Sequence, residues 1–371
     1  MKNDIESRVL SDVYESSVRI IKANQSTSGA FIASPNFDEY DYSWFRDGAF
    51  ISNALVMIDE PERAKKFHGW AARVILDRSE KIHSLIERNR LGEKIEAEEH
   101  LHCRYTVEGD EGVKPWTNFQ LDGFGTWLWS LDEFLNVTGA LEDEVSAAAD
   151  LIAEYISEFW AIESFDWWEE SFGHQHVSTL GSIGAGLARH SNWDSVSPDL
   201  RAISRQEAAR IKELINQRGI ANGRLVKWID GEGLDASLLS LFKPFDFFEV
   251  RSNIAQATIA AVGSQLGSHG TYRHAEDDYY GGGRWPLLSC FLGLCLVELG
   301  DLVGATEILR WVASTANENN ELPEQIDGDL LHPAKRQHWI ESWGEPAVPL
   351  LWSHAMFIHL YATLRQFGVE L

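Results

Sequence analysis

Cysteine is scarce in this chain. Cys103, Cys290 and Cys295 are the three present, an odd and small number that argues against a disulfide framework and suits a reducing compartment. None are spaced as Cys-x-x-Cys, so no structural zinc site is expected. Cys290 and Cys295 fall in the apolar run Pro286 to Leu299 and read as small core residues. Basic residues are few as well: 32 Lys and Arg face 57 Asp and Glu, a net charge of −25. Such a surface repels phosphate backbones and anionic headgroups, which argues against nucleic acid and membranes as partners. No run of about 18 apolar residues is present, so no spanning helix is expected. The opening Met1-Lys2-Asn3-Asp4-Ile5-Glu6 has no apolar signal core and no cleavage site, and a cytoplasmic location is expected. Low-complexity tracts and Pro-, Gly- or Ser-rich linkers are missing too. One domain spanning residues 1–371 is therefore expected, with 44% apolar residues to fill its core.

What is abundant is tryptophan, at 15 residues alongside 18 Phe and 9 Tyr. Large aromatics pack cores. Many of these, however, stand beside Asp, Glu, Arg or Gly in loop-like stretches. Aromatic faces stack on the C–H faces of sugar rings while polar neighbours bind hydroxyls, so the clustering favours a sugar site.

Helical periodicity dominates the chain. Six segments are amphipathic: Asp4 to Ala23 (with Ile5, Val9, Val13, Val18 and Ile21 apolar), Pro61 to Ile82, Glu142 to Phe159, Pro198 to Gln217, Asn253 to Leu266 and Leu302 to Ala316. Between them lie six that are apolar on more sides: Gly48 to Ile58, Gly125 to Leu135, Val177 to Arg189, Leu234 to Phe242, Pro286 to Leu299 and Leu351 to Leu364. Solvent-facing and buried helices thus alternate, solvent-facing first. This pattern predicts an all-α (α/α)6 barrel, an inner ring of helices inside an outer ring. The polar-aromatic motifs mostly precede the inner helices, so they should gather at one end, where helix N-termini offer free N–H donors.

Five motifs carry the chemistry. In Tyr40-Asp41-Tyr42-Ser43-Trp44-Phe45-Arg46-Asp47-Gly48, Asp47 could accept from two sugar hydroxyls with Arg46 donating beside it, or Asp47 could simply cap a helix. Trp116 to Gly125 reads equally well as a turn with Asp122 capping the next helix. In Asp166-Trp167-Trp168-Glu169-Glu170, paired carboxylates follow two tryptophans. An apolar wall raises a carboxyl pKa, as a proton donor needs. His174 and His176, nearby, lack evident further metal ligands and read as structural or site-lining residues. Arg273 to Pro286 combines acids with the triplet Gly281-Gly282-Gly283. It is a close-approach loop, too acidic to cradle phosphate, although the acids could bind a cation or sugar hydroxyls. Leu322-Pro323-Glu324-Gln325 supplies a second candidate carboxylate ahead of a long irregular stretch, then Trp343-Gly344-Glu345-Pro346 and Trp352-Ser353-His354-Ala355.

Taken in order, these motifs resemble glycoside hydrolase family 15, the glucoamylases and their bacterial relatives, over Tyr40 to Ala355. Trp44, Arg46 and Asp47 match the family's Trp-x-Arg-Asp, and Trp116 matches its tryptophan near the catalytic acid. Asp166 to Glu170 is similar to its Asp-Leu-Trp-Glu-Glu. Arg273 with Glu276-Asp277 matches Arg-x-x-Glu-Asp, Trp285 an aromatic after that loop, and Glu324-Gln325 the Glu-Gln pair with the general base. Trp352 to Ala355 resembles the last inner-helix motif. The resemblance implies Glu169 as general acid and Glu324 as general base. It also implies substrate contacts from Tyr40, Trp44, Arg46, Asp47, Trp116, Trp168, Glu170, Arg273, Trp285 and Trp352, with no cofactor and no metal. It implies inversion and exo release of β-glucose from a small oligosaccharide. A starch-binding module, fungal disulfide cysteines and the N-terminal β-sandwich of many prokaryotic members are missing. The expected substrate is therefore a short α-glucoside, α-1,6 (isomaltose-type) ahead of α-1,4. The alternatives are a trehalase of the same family, a catalytically silent sugar-binding protein, and a phosphorylase or epimerase on the same toroid.

Overall fold

The structure, a computed structural model, describes residues 2–371, with side-chain environments from residue 8 onward; that of Ile5 lies outside the described residues. In chain order the helices are α1 (Lys2–Ala23), α2 (Phe45–Met57), α3 (Pro61–Leu76), α4 (Ser79–Arg90), α5 (Asp122–Thr138), α6 (Asp143–Phe159), α7 (Val177–His190), α8 (Pro198–Arg218), α9 (Asn253–Gln265), α10 (Pro286–Leu299), α11 (Leu302–Ser314), α12 (Pro333–Trp343) and α13 (Leu351–Gln366). Local chemistry sets their ends. Proline occupies the first turn of α3, α8, α10 and α12, where its missing N–H costs nothing. Ser197, Ser252 and Asp301 cap α8, α9 and α11 through their side-chain oxygens. Gly139 and Gly300 end α5 and α10 in the left-handed conformation.

Helices α2, α5, α7, α10 and α13, with a short 3-10 segment at Ala236–Leu241, form the inner ring. α5 packs on α2 and α7, the 3-10 segment joins α7 to α10, and α13 closes the circle between α10 and α2. Outside them, α1 lies on α13, α3 on α2, α6 on α5, α8 on α7, α9 on the 3-10 segment and α11 on α10. This is the (α/α)6 barrel. Glycine permits the tightest inner contact: a Cβ on Gly186 would stand 2.3 Å from the carbonyl oxygen of Gly125, well inside any tolerable approach.

Four expectations need correction. Val9 is 43% exposed rather than on the buried stripe of α1. The segment Pro61 to Ile82 is two helices, α3 and α4, broken at Asp77 and Arg78. The inner segment Leu234 to Phe242 is only the 3-10 turn Ala236–Leu241; Pro244 follows, lacks the N–H to continue a helix and disfavours helical geometry at the residue before it. Finally, α12 occupies the stretch read as irregular. None of its residues is buried, and its apolar signal is limited to Trp339, Ile340 and Trp343.

A short ribbon, β1 (Ser43–Trp44) with β2 (Arg104–Tyr105), pairs Trp44 with Arg104 at the mouth of α2. A second, β3 (Ile220–Ala221) with β4 (Arg224–Leu225), packs on α8 and α9. The three cysteines are free and buried. Among the described residues, no helix is long and apolar enough to cross a membrane.

Candidate active site

The loops entering the inner helices converge on one cavity of about 290 Å³, at the small end of ligand pockets. Every site residue named from the sequence lines it: Tyr40, Trp44, Arg46, Asp47, Trp116, Trp168, Glu169, Glu170, Arg273, Trp285, Glu324 and Trp352. Phe37, Trp167, Tyr279, Trp339 and Trp343 line it as well. Tyr279 lay in the Arg273 to Pro286 motif without being singled out. Trp339 and Trp343 stand four apart, the spacing of one helix face, and that was the available signal for them.

Glu169 is held at both oxygens. Trp44 Nε1 donates to Oε1 at 2.8 Å and Trp116 Nε1 to Oε2 at 2.9 Å, with Arg46 Nη2 at 3.5 Å from Oε1. Its backbone takes φ 62°, the left-handed region that disfavours side chains, a strain often kept at functional sites. The strain is locked in by Glu169 N–H on the Asp166 carbonyl (3.0 Å) and by the Thr117 hydroxyl on the Glu169 carbonyl (2.9 Å). Burial pushes the Glu169 carboxyl up, against the pull of Arg46 and the indole donors. That is the direction a proton donor requires.

Arg104 supports this grip from behind. It is fully buried, and its guanidinium stacks over Trp116 at 4.1 Å, Tyr42 at 4.3 Å and Trp44 at 5.3 Å. No sequence motif marked it. Only the β1–β2 pairing brings it beside Trp44.

Arg46 and Asp47 lie within the first turn of α2, not at its cap, which is Trp44. Arg46 Nη1 donates to Asp122 at 3.0 Å and to Gln120 at 3.3 Å. Asp47 stands 3.8 Å from its Nε. Burial raises the Asp47 carboxyl to about 7, offset in part by Arg46. Asp122 likewise opens α5 from inside its first turn, and its carboxylate anchors Arg46.

Glu170 has the opposite character to Glu169. Burial pushes its carboxyl up, but Arg273, with Nη2 at 2.6 Å, and His274 override this and hold it at about 2. Asp277 is buried and binds Arg273 Nε at 2.9 Å, while the Glu276 side chain is 86% exposed. Of the acids in this loop, Asp277 therefore orients Arg273. His174 stacks on Trp228 at 4.3 Å and His176 bonds the Ser171 carbonyl at 2.8 Å, both structural roles. Among the described residues, no group of three His, Cys, Asp or Glu could hold a metal.

Glu324 accepts from the Tyr40 hydroxyl at Oε1 (2.7 Å), and Tyr40 lies 3.2 Å from the Tyr279 hydroxyl. Its Oε2 is buried without a protein partner. Burial raises the Glu324 carboxyl to about 7, while Tyr40 and Arg273 pull it down. Its loop is clamped on both sides. Ser353 donates to the Pro323 carbonyl at 2.8 Å. The Leu322 N–H donates to His354 Nε2 at 3.0 Å, and the Gly283 N–H to Gln325 Oε1 at 2.8 Å. The glycine triplet makes the last contact possible: a Cβ on Gly283 would lie 2.3 Å from the Ile326 carbonyl oxygen.

Comparison with known proteins agrees with this geometry. The sequence pattern of Glycosyl hydrolases family 15 matches residues 9–339. A protein named isomaltose glucohydrolase, from Kribbella flavida, is 38% identical over 344 residues, covering 92% of this chain and 89% of that protein. Trehalase 2 of Sulfolobus acidocaldarius is 24% identical over 332 residues, 85% of this chain and 56% of its own. A wild-type glycosidase structure superposes with a TM-score of 0.94 at 37% identity, covering 97% of this chain and 98% of its own. A variant in complex with glucose matches equally well. The glucoamylase of Saccharomycopsis fibuligera, at 14% identity and a TM-score of 0.76 over 97% of this chain and 95% of its own, shares the fold. This chain belongs to glycosyl hydrolase family 15 and is a glycoside hydrolase.

Proposed function

We propose that this enzyme is an inverting exo-α-glucosidase. It releases β-glucose from the non-reducing end of short α-gluco-oligosaccharides, α-1,6 linkages of the isomaltose type ahead of α-1,4. One observation carries the reading: Glu169 and Glu324 line a single small cavity in contrasting surroundings. Glu169 has both oxygens engaged by fixed donors, whereas Glu324 keeps Oε2 free of protein partners, able to accept a proton from water. In this mechanism, Glu169 gives its proton to the glycosidic oxygen as the C1–O bond breaks. Water attacks C1 from the opposite face and loses a proton to Glu324. The cycle leaves Glu169 ionised and Glu324 protonated, and exchange with solvent resets both. Asp47, Glu170 and Arg273 bind sugar hydroxyls, and the tryptophans take the apolar ring faces. No cofactor takes part.

The 38% identity to a protein named for isomaltose supports the linkage preference, with the trehalase relatives more distant. The reading treats residues 1–371 as one catalytic domain, supported by the ring closing between α13 and α2. It also includes action in the cytoplasm, supported by buried, unpaired thiols, and cell fractionation tests that part.

The main test follows glucose release from isomaltose, maltose, trehalose, dextran and starch, reading the anomer by NMR in the first turnovers. Glu169→Gln should lose about 10²–10⁴-fold on isomaltose yet retain turnover of α-glucosyl fluoride, whose leaving group needs no proton. Initial α-glucose would refute inversion. Preference for starch or trehalose would refute the substrate assignment, and full activity of Glu169→Gln would refute the acid.

A further inference from the structure

Helix α12 buries none of its residues, yet Trp339 and Trp343 both line the cavity of the two glutamates. A surface helix normally spends its apolar face on the core. This one packs only Trp339 and Ile340, partly buried, against the core and presents two indoles, one turn apart, to the site.

Their contacts locate the helix relative to the reaction. The Trp343 ring meets Trp116 edge-on at 6.4 Å, and Trp116 is the donor to Glu169 Oε2. The Trp339 ring meets Tyr279 at 5.0 Å, and Tyr279 stands beside Tyr40, the donor to Glu324. One helix therefore runs from the acid side of the cavity to the base side. Trp343 is 44% exposed, so an indole face remains for a ligand. The leaving oxygen must sit beside Glu169, which makes Trp116 and Trp343 the walls of the first sugar on the departing side.

The helix is fastened lightly. Arg336 reaches Asp327 (3.3 Å) and Glu345 (3.0 Å), and Lys335 reaches Asp278 (3.7 Å), all carboxylates about half exposed or more. Exposed pairs of this kind stabilise weakly.

We propose that α12 is a length filter. Through Trp343 and Trp339 it closes the leaving-group side of the pocket so that one sugar fits beyond the scissile bond, favouring disaccharides over longer α-glucosides. This rests on the α-glucosidase reading above.

The test compares kcat/KM for isomaltose and isomaltotriose in the unmodified enzyme, Trp343→Ala, Trp339→Ala and Trp343→Phe, with thermal melting to confirm folding. The unmodified enzyme should favour isomaltose. Trp343→Ala should raise the isomaltotriose-to-isomaltose ratio about tenfold, the scale on which apolar walls discriminate. Trp343→Phe, which keeps an aromatic wall, should change it less. An unchanged ratio in both alanine variants, with glucose still released, overturns the length filter alone. An unmodified enzyme that releases no glucose from either sugar overturns the α-glucosidase reading and the filter with it.

Discussion

Removing the Tyr40 hydroxyl gives the sharpest test of how Glu324, the proposed general base, is tuned. In Tyr40→Phe the ring that packs against Trp44 at 5.5 Å is retained, and only the 2.7 Å bond to Glu324 and the contact with Tyr279 are lost. Burial and the neighbouring Glu324 carboxyl keep the Tyr40 hydroxyl well above its ordinary value, so it stays protonated and donates. That donation favours the ionised form of Glu324, which burial has already pushed up to about 7. A hydrogen bond to a charged group contributes about 1.5–3 kcal/mol, equivalent to roughly 1–2 pKa units. Without it, Glu324 should titrate at about 8–9. A general base works only when ionised, so the acidic limb of the pH profile should move upward. At pH 6, kcat/KM for isomaltose should fall about 10–100-fold, and most of the loss should be regained near pH 9 in the absence of other changes. The profile of kcat/KM reports the free enzyme, the state to which these values apply. An acidic limb that stays in place, or moves down, would refute the reasoning. A uniform loss at every pH would show that Tyr40 acts by something other than tuning Glu324.

Two further predictions concern the same buried charges. Because the folded pKa of Glu324 is raised, its contribution to stability is fully present below the ordinary carboxyl pKa and is lost as pH rises through about 7. Glu324→Gln should therefore be more stable than the unmodified protein at pH 8, by about 1–3 kcal/mol in chemical denaturation, with the difference vanishing near pH 4; equal stability at both pH values would count against the buried, uptuned carboxyl. Arg104→Met should lower kcat about tenfold with little change in KM, on the scale of one misaligned proton donor. It should also move the basic limb upward, because Arg104 pulls the Glu169 carboxyl down; loss of stability with the limb unmoved would reduce Arg104 to a packing role.

The architecture was legible because burial leaves a periodic trace. Inner helices such as α10, buried at every position from Pro286 to Cys295 and closed by Gly300, differ plainly from outer ones. The trace failed where a helix buries nothing, as in α12, and where proline cut a segment short, as at Pro244. Trp352-Ser353-His354 was readable as a motif. That its serine and histidine fasten the Glu324 loop emerged only when α13 lay against that loop.

By itself, the sequence determined the types of group present and the spacing that folds them. Its carboxylates, arginines and indoles stand mostly just ahead of inner helices, and that pattern, read with the family resemblance, named much of the cavity lining but not Phe37, Tyr279, Trp339 or Trp343. Tertiary structure alone decided what each group is. Glu169 and Glu170 are chemically identical neighbours, yet one is gripped by two indole donors and raised while the other is ionised by Arg273 and held at about 2. Desolvation and Coulomb interactions act across space, between residues from about fifty to more than a hundred positions apart, and no pattern along the chain encodes those distances.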